Sequence, residues 1–136
     1  TAVDFSPSAI KFLNNLADQE GVLVKIIQRD IFSLADNFKG HFDYVIEQTC
    51  FCAIDIKRRS EYELLVNKLL KVKGQLIGLW FPIGKHILDG GPPYGVSIKD
   101  IKLLFRKKWN IVKEEYSTFS VEKRKNREKI IIFEKL

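Results

Sequence analysis

Residues 2–30 read AVDFSPSAIKFLNNLADQEGVLVKIIQRD, and their pattern decides the fold class. Ala2 to Phe5 is a short apolar run interrupted by one acid, as at the end of a buried strand. Ser6 and Pro7 follow. A Ser hydroxyl can cap a helix, and Pro suits its first turn, where the missing N–H is not needed. Ile10, Leu13, Leu16 and Ala17 then recur at helical spacing. Gly21 closes the helix, because glycine accepts the left-handed conformation that such a stop requires. Val22 to Ile27 is a run rich in β-branched residues, predicted to be a buried strand that ends at Gln28, Arg29 and Asp30. Two strands joined through a helix lie parallel.

The same alternation continues outward from this unit. Ile31 to Lys39 reads as a loop with a short helix, and Phe42 to Ile46 as the next strand. Glu47 to Ala53 is polar and small, a turn. Ser60 to Val72 carries Leu64, Leu65, Lys68, Leu69 and Val72 at amphipathic spacing, which predicts a helix ended by Lys73 and Gly74. Gln75 to Phe81 is a strand stopped by Pro82. Residues 84–95 are Gly- and Pro-rich loop. Ser97 caps a helix bearing Ile98, Ile101, Leu104 and Phe105. Trp109 to Tyr116 and Lys129 to Phe133 are strands joined by a charged connector. Strands alternating with helices predict an α/β fold: a Rossmann-like, doubly wound, mostly parallel sheet. The last two strands lack a helix between them, so an antiparallel strand is expected at one edge.

The totals fit this reading. A chain of 136 residues suits one domain, and 46% hydrophobic with 29% charged residues is ordinary globular composition. The formal net charge is +6, but basic and acidic residues intermingle over most of the length. The one dense run, Lys123, Arg124, Lys125, Arg127 and Lys129, reads as a solvated loop, with Arg106, Lys107 and Lys108 a second basic patch. Cys50 and Cys52 are separated by one residue. That spacing is wrong for a zinc pair, no second pair exists, and His41 and His86 are distant in sequence, so no metal is expected and the thiols read as buried. No apolar stretch is long enough to span a bilayer. These features predict a cytoplasmic protein. The chain starts within a strand, without lead-in, which predicts an N-terminally truncated single domain over residues 1–136.

In a sheet of this kind ligands sit at the carboxyl ends of the strands. Asp4, Asp30 and Glu47 stand at three such ends. A carboxylate after the second strand of a dinucleotide-type fold can accept from both hydroxyls of a ribose. Asp30 could accept from an exocyclic amine, with Ile31 and Phe32 flanking a flat base. The stretches Val3-Asp4-Phe5-Ser6-Pro7, Gln28-Arg29-Asp30-Ile31-Phe32 and Phe42-Asp43-Tyr44-Val45-Ile46-Glu47 resemble the cofactor-contacting segments of class I S-adenosylmethionine-dependent methyltransferases. Phe51-Cys52-Ala53-Ile54, followed by Arg59 and Tyr62, and Gly90-Gly91-Pro92-Pro93-Tyr94-Gly95-Val96-Ser97 resemble the thiopurine S-methyltransferase family within that class. Its plant-type thiol and halide methyltransferases are the most similar.

This resemblance implies a cofactor, S-adenosyl-L-methionine, and roles for residues. Asp4 and Phe5 would bind the ribose side, and Asp30, Ile31 and Phe32 the adenine. Glu47 and Gln48 would lie beside the methionine moiety and the acceptor, Tyr94 on the acceptor side, and Phe81 and Pro82 under the transferring methyl. It also implies a first strand and a Gly-rich loop upstream of Thr1. The reaction would be an in-line displacement by a thiol, sulfide, thiopurine or halide, needing alignment more than a strong base. Phe51, Trp80, Phe81 and Tyr94 could wall a small site. Aromatics on strands usually belong to the core, so Tyr94, in its loop, stands out. The partners expected are a small-molecule acceptor, no nucleic acid and no membrane, with the chain a monomer. Two other readings stand beside this one: a methyltransferase of the same class acting on another small metabolite, and a non-catalytic basic α/β module that binds nucleic acid.

Overall fold

A computed structural model describes all of residues 1–136, and its contacts cluster in two compact units, Thr1–Asn37 and Phe38–Leu136. The first unit is a βαβ unit: β1 (Ala2–Asp4), α1 (Pro7–Glu20) and β2 (Ile26–Gln28), with β1 and β2 parallel and Asp4 opposite Gln28. Ser6 caps α1 through its hydroxyl and Pro7 opens it. Gly21 closes it at φ 63°, where the Gly21 and Val22 N–H groups satisfy the carbonyls of Asp18 and Ala17. The predicted buried strand over Val22–Ile27 is corrected. The strand is three residues long, and Val22 and Leu23 before it are 53% and 105% exposed. The reason is the partner: β1 offers only three residues, and the chain joins it where the Lys25 carbonyl accepts the Ala2 N–H.

The second unit holds β3 (Phe42–Gln48), α2 (Arg59–Leu69), β4 (Leu70–Trp80), α3 (Ile98–Phe105), β5 (Trp109–Tyr116) and β6 (Lys129–Lys135). The sheet order is β3-β4-β6-β5. β3 and β4 are parallel, and β6 runs antiparallel to both β4 and β5. The antiparallel pairing expected at one edge is present, with β6, the reversed strand, one place in from that edge. Side chains alternate across β4, so that Leu76 and Trp80 are buried on one face. There Trp80, Phe105, Phe133 and Trp109 form a chain of ring contacts, with Phe105 stacked on Phe133 at 4.6 Å and Trp109 edge-on to Phe105 at 5.4 Å. Each such ring is worth about 1.5–3 kcal/mol buried. From α2, Tyr62, Leu65, Val66 and Leu69 are buried.

Two boundaries differ from the sequence reading. The helix expected over Ser60–Val72 ends at Leu69, Leu64 is 47% exposed and Val72 is 71% exposed. Leu70 is drawn into the sheet opposite Phe42, so β4 begins five residues before Gln75 and passes a bulge near Lys73, at φ 64°. Glu47 and Gln48, expected in a turn, are the last residues of β3 and pair with Gly78 and Leu79. No helix is long and apolar enough to cross a membrane.

Candidate active site

At the carboxyl end of the first unit's sheet, Asp4 and Asp30 leave from neighbouring parallel strands. Asp4 is half-buried, and its Oδ1 accepts the Ser6 N–H at 2.7 Å, while its own carbonyl accepts the Arg29 N–H at 3.0 Å. Its Oδ2 has no partner within the protein. The Phe5 ring beside it is 76% exposed. Asp30 caps a 3-10 turn over Ile31–Ser33, accepting the Phe32 N–H at 2.9 Å, and Ile31 and Phe32 are half-buried. Two carboxylates with fixed orientation, an exposed ring and two apolar side chains suit an adenosine group: acceptors for its hydroxyls and amine, apolar surface for its base.

At the carboxyl end of β3 in the second unit, Glu47 is only 3% exposed. Its Oε1 accepts the Phe51 N–H at 3.0 Å and its Oε2 accepts the Tyr62 hydroxyl at 2.9 Å. Burial pushes the carboxyl above its ordinary value, against the pull of these bonds and of the Cys50 N–H. Tyr62 is driven well above the usual phenol value by burial and by the Glu47 charge. Thr49 stands between them and the loop at φ 63°, rare for a β-branched residue, with its hydroxyl on the Gln48 carbonyl at 2.7 Å. Gln48 itself is exposed.

The loop after Glu47 is tied to the Gly- and Pro-rich loop. The Tyr94 N–H donates to the Cys52 carbonyl at 2.7 Å. Arg59 lies over the Phe51 ring at 4.6 Å and donates from Nη2 to the Gly95 carbonyl at 3.0 Å. Burial lowers the Arg59 pKa, so its charge is held at some cost. A Cβ at Gly91 would lie 2.5 Å from the Tyr94 ring, and one at Gly95 would lie 2.1 Å from the Lys85 carbonyl oxygen, so both positions require glycine. The Val96 N–H donates to the Pro82 carbonyl, which joins this loop to the end of β4. Thus the stretches Phe51–Tyr62 and Gly90–Ser97, 28 positions apart in sequence, are one structure around the ends of β3 and β4.

The expected aromatic walls divide. Phe51 and Trp80 are core residues, 3% and 1% exposed, whereas Phe81 and Tyr94 are half-buried. The basic run is not simply solvated. Arg124 and Arg127 lie over the Phe81 ring at 4.6 and 5.6 Å, and Lys129 is the first residue of β6, bound to Glu114 at 2.6 Å. Glu128, 3% exposed, faces Arg124 at 3.8 Å. The sequence offered no sign of this packing, because spacing in a connector does not reveal which ring it covers. Cys52 is buried, with its thiol pushed up by burial and the nearby Glu47 charge, while Cys50 is only half-buried, less than expected. A thiol shifted in this direction is unreactive.

The model of the thiopurine S-methyltransferase (TPMT) family matches residues 1–136. The chain belongs to that family. Among its relatives, thiocyanate methyltransferase 1 of Brassica oleracea is 36% identical over 107 residues, covering 76% of this chain and 45% of the relative. Thiocyanate methyltransferase 1 of Arabidopsis thaliana is 28% identical over 131 residues, covering 94% and 56%. The chain thus spans about half the length of the curated relatives it matches. A SAM-dependent methyltransferase of Methanosarcina mazei shares the fold at TM-score 0.77 and 18% identity, over 98% of this chain and 80% of that one. The fold of this family member is therefore the Rossmann-like one of class I S-adenosylmethionine-dependent methyltransferases.

Proposed function

We propose that the protein transfers a methyl group from S-adenosyl-L-methionine to a small soft nucleophile: a thiol, sulfide, thiopurine, thiocyanate or halide. The observation that carries this reading is the joining of Phe51–Tyr62 to Gly90–Ser97 at the ends of β3 and β4, in a chain matched throughout by the thiopurine S-methyltransferase family. The thiocyanate methyltransferases among its relatives support an anionic sulfur acceptor.

When bound, the cofactor supplies an electrophilic methyl on a sulfonium. In this reading Asp4 receives the ribose hydroxyls, using the Oδ2 that the protein leaves unpaired, with Phe5 alongside. Asp30 and Ile31 take the adenine edge and Phe32 its face. Glu47 acts as the fixed post of the site. With both oxygens engaged, it holds the Phe51 loop and Tyr62 in place, and the exposed Gln48 is the residue that reaches ligand. Tyr94 contacts the acceptor, and Phe81 and Pro82 shield the reacting centre from water. Exclusion of water favours an anionic nucleophile, and alignment can supply roughly 7–11 kcal/mol of the barrier.

The test is a calorimetric titration of S-adenosylhomocysteine into protein expressed from its complete reading frame. One-to-one binding in the micromolar range, about −8 kcal/mol, is expected. Turnover is then compared across thiocyanate, iodide, sulfide and a thiopurine. No detectable S-adenosylhomocysteine binding would overturn the reading.

A further inference from the structure

The end of the second unit's sheet away from Glu47 carries a feature that methyl transfer does not use. A groove of about 410 Å³ opens there, lined by Lys39, Lys68, Lys71 and Lys135 together with Leu70 and Val72. It lies where β3 and β4 begin, about 20 Å along β3 from the candidate active site at the strand rise of 3.3 Å. Lys135 is the built element of this groove. Its Nζ donates to the carbonyls of Asn67 at 2.6 Å and Leu70 at 2.8 Å, at the closing turn of α2. An ammonium has three N–H donors, so one remains on a cation held by two bonds. Lys39 and Lys68 make no ion pair. Lys71 is bound to Asp43 at 2.8 Å, an exposed pair that a stronger anion can open.

The surroundings reinforce the charge. Lys73, paired to Glu134 at 3.4 Å, belongs to the same end, and so do Arg106, Lys107 and Lys108. This last run is placed there by the start of β5 opposite Lys135 and by the Leu136 N–H on the Lys108 carbonyl. Eight basic residues therefore meet three acids, Asp43, Glu134 and Glu63, the last buried against the Trp109 indole. With 23 basic and 17 acidic residues in all, 15 and 14 are left elsewhere, so this end carries five of the six net charges.

We propose that this groove binds a small phosphate-bearing polyanion of the di- or triphosphate class. Several lysines lining one groove suit phosphate oxygens, and a single carboxylate would leave most of them unanswered. The volume lies within the range of small-molecule sites, and the lysine stems, Leu70 and Val72 supply apolar walls. Tyr44, beside Asp43 on β3, is 62% exposed but does not line the groove.

The probe is inorganic tripolyphosphate, titrated calorimetrically at low ionic strength into protein from the complete reading frame. One-to-one binding is expected, weakened about tenfold or more in a Lys39→Ala/Lys68→Ala variant, with S-adenosylhomocysteine affinity unchanged. Both lysines are exposed, so this variant keeps its fold. Lys135→Met is expected to weaken binding further. Absence of binding, or equal affinity in the double variant, overturns the proposal. Sedimentation with phosphatidylglycerol vesicles separates the two sources of such phosphate. Tripolyphosphate binding without vesicle association assigns a soluble ligand, and vesicle association displaced by tripolyphosphate assigns a lipid headgroup to the same groove. Vesicle association that tripolyphosphate leaves intact overturns it.

Discussion

Asp4 and Glu47 are both carboxylates at strand ends, and their environments separate what each can do. Asp4 spends one oxygen on the Ser6 N–H and keeps the other available, so Asp4→Ala removes a charged hydrogen-bond partner worth about 1.5–3 kcal/mol. The expected outcome is S-adenosylhomocysteine affinity lower by at least about tenfold in calorimetry, with thermal stability little changed; equal affinity would remove the ribose role. Glu47 spends both oxygens inside the protein. Burial raises its carboxyl above the ordinary 4.5, so the native state holds this proton more tightly than the unfolded chain. Its contribution is therefore complete below that value and is lost as pH rises through the raised one. Glu47→Gln keeps an acceptor for the Phe51 N–H and has no charge to bury. Urea denaturation from pH 4 upward is expected to show this variant gaining on the parent as pH rises. A pH-independent difference would contradict the burial argument. The positions of these acids were readable from the sequence, because apolar runs ending in an acid mark strand ends. Their partners were not, since Tyr62 lies 15 residues from Glu47 and only the packing of α2 brings them together.

Among the elements, the order of strands and helices follows from residue periodicity and caps, and α1 and α3 begin where Ser6 and Ser97 place them. The start of β4 shows why boundaries were harder. Leu69, Leu70 and Val72 continue a helical pattern, yet pairing with Phe42 takes Leu70 into the sheet, where it is completely buried. A non-local partner overrides a local preference, and periodicity holds no information about that partner. The Gly- and Pro-rich loop is the converse case, since its composition announces a loop and its glycines have assignable steric causes. An added Cβ at Gly91 meets the Tyr94 ring, so Gly91→Ala must displace Tyr94. Steady-state kinetics are expected to show acceptor kcat/KM about tenfold lower, a change of about 1.4 kcal/mol, while S-adenosylhomocysteine affinity stays the same. Tyr94→Phe should likewise alter acceptor turnover alone. Loss of cofactor affinity in either variant would place this loop on the other substrate.

At the scale of the whole molecule, the sheet of the second unit depends on pairing between segments distant in sequence. β6 is the last strand, yet it lies between β4 and β5 and pairs with both. Its Ile131 and Phe133 are 0% and 1% exposed, so the hydrogen bonds and the core of this sheet both await residues 129–135. Such pairing of distant segments must offset the entropy of closing the loops between them. The two tryptophans of the chain, Trp80 and Trp109, stand opposite Lys129 and Lys135, at the two ends of β6. Their fluorescence therefore reports whether this strand is docked at either end. Ile131→Ala leaves a cavity in a site with no exposure, and the expected loss is about 2–5 kcal/mol. If β6 unites the sheet, both tryptophans respond in a single urea transition shifted to lower denaturant. Trp80→Phe and Trp109→Phe versions of the variant should give coincident curves. Separate midpoints would mean that the β3-β4 side holds together without β6, and that the sheet is two cooperative pieces.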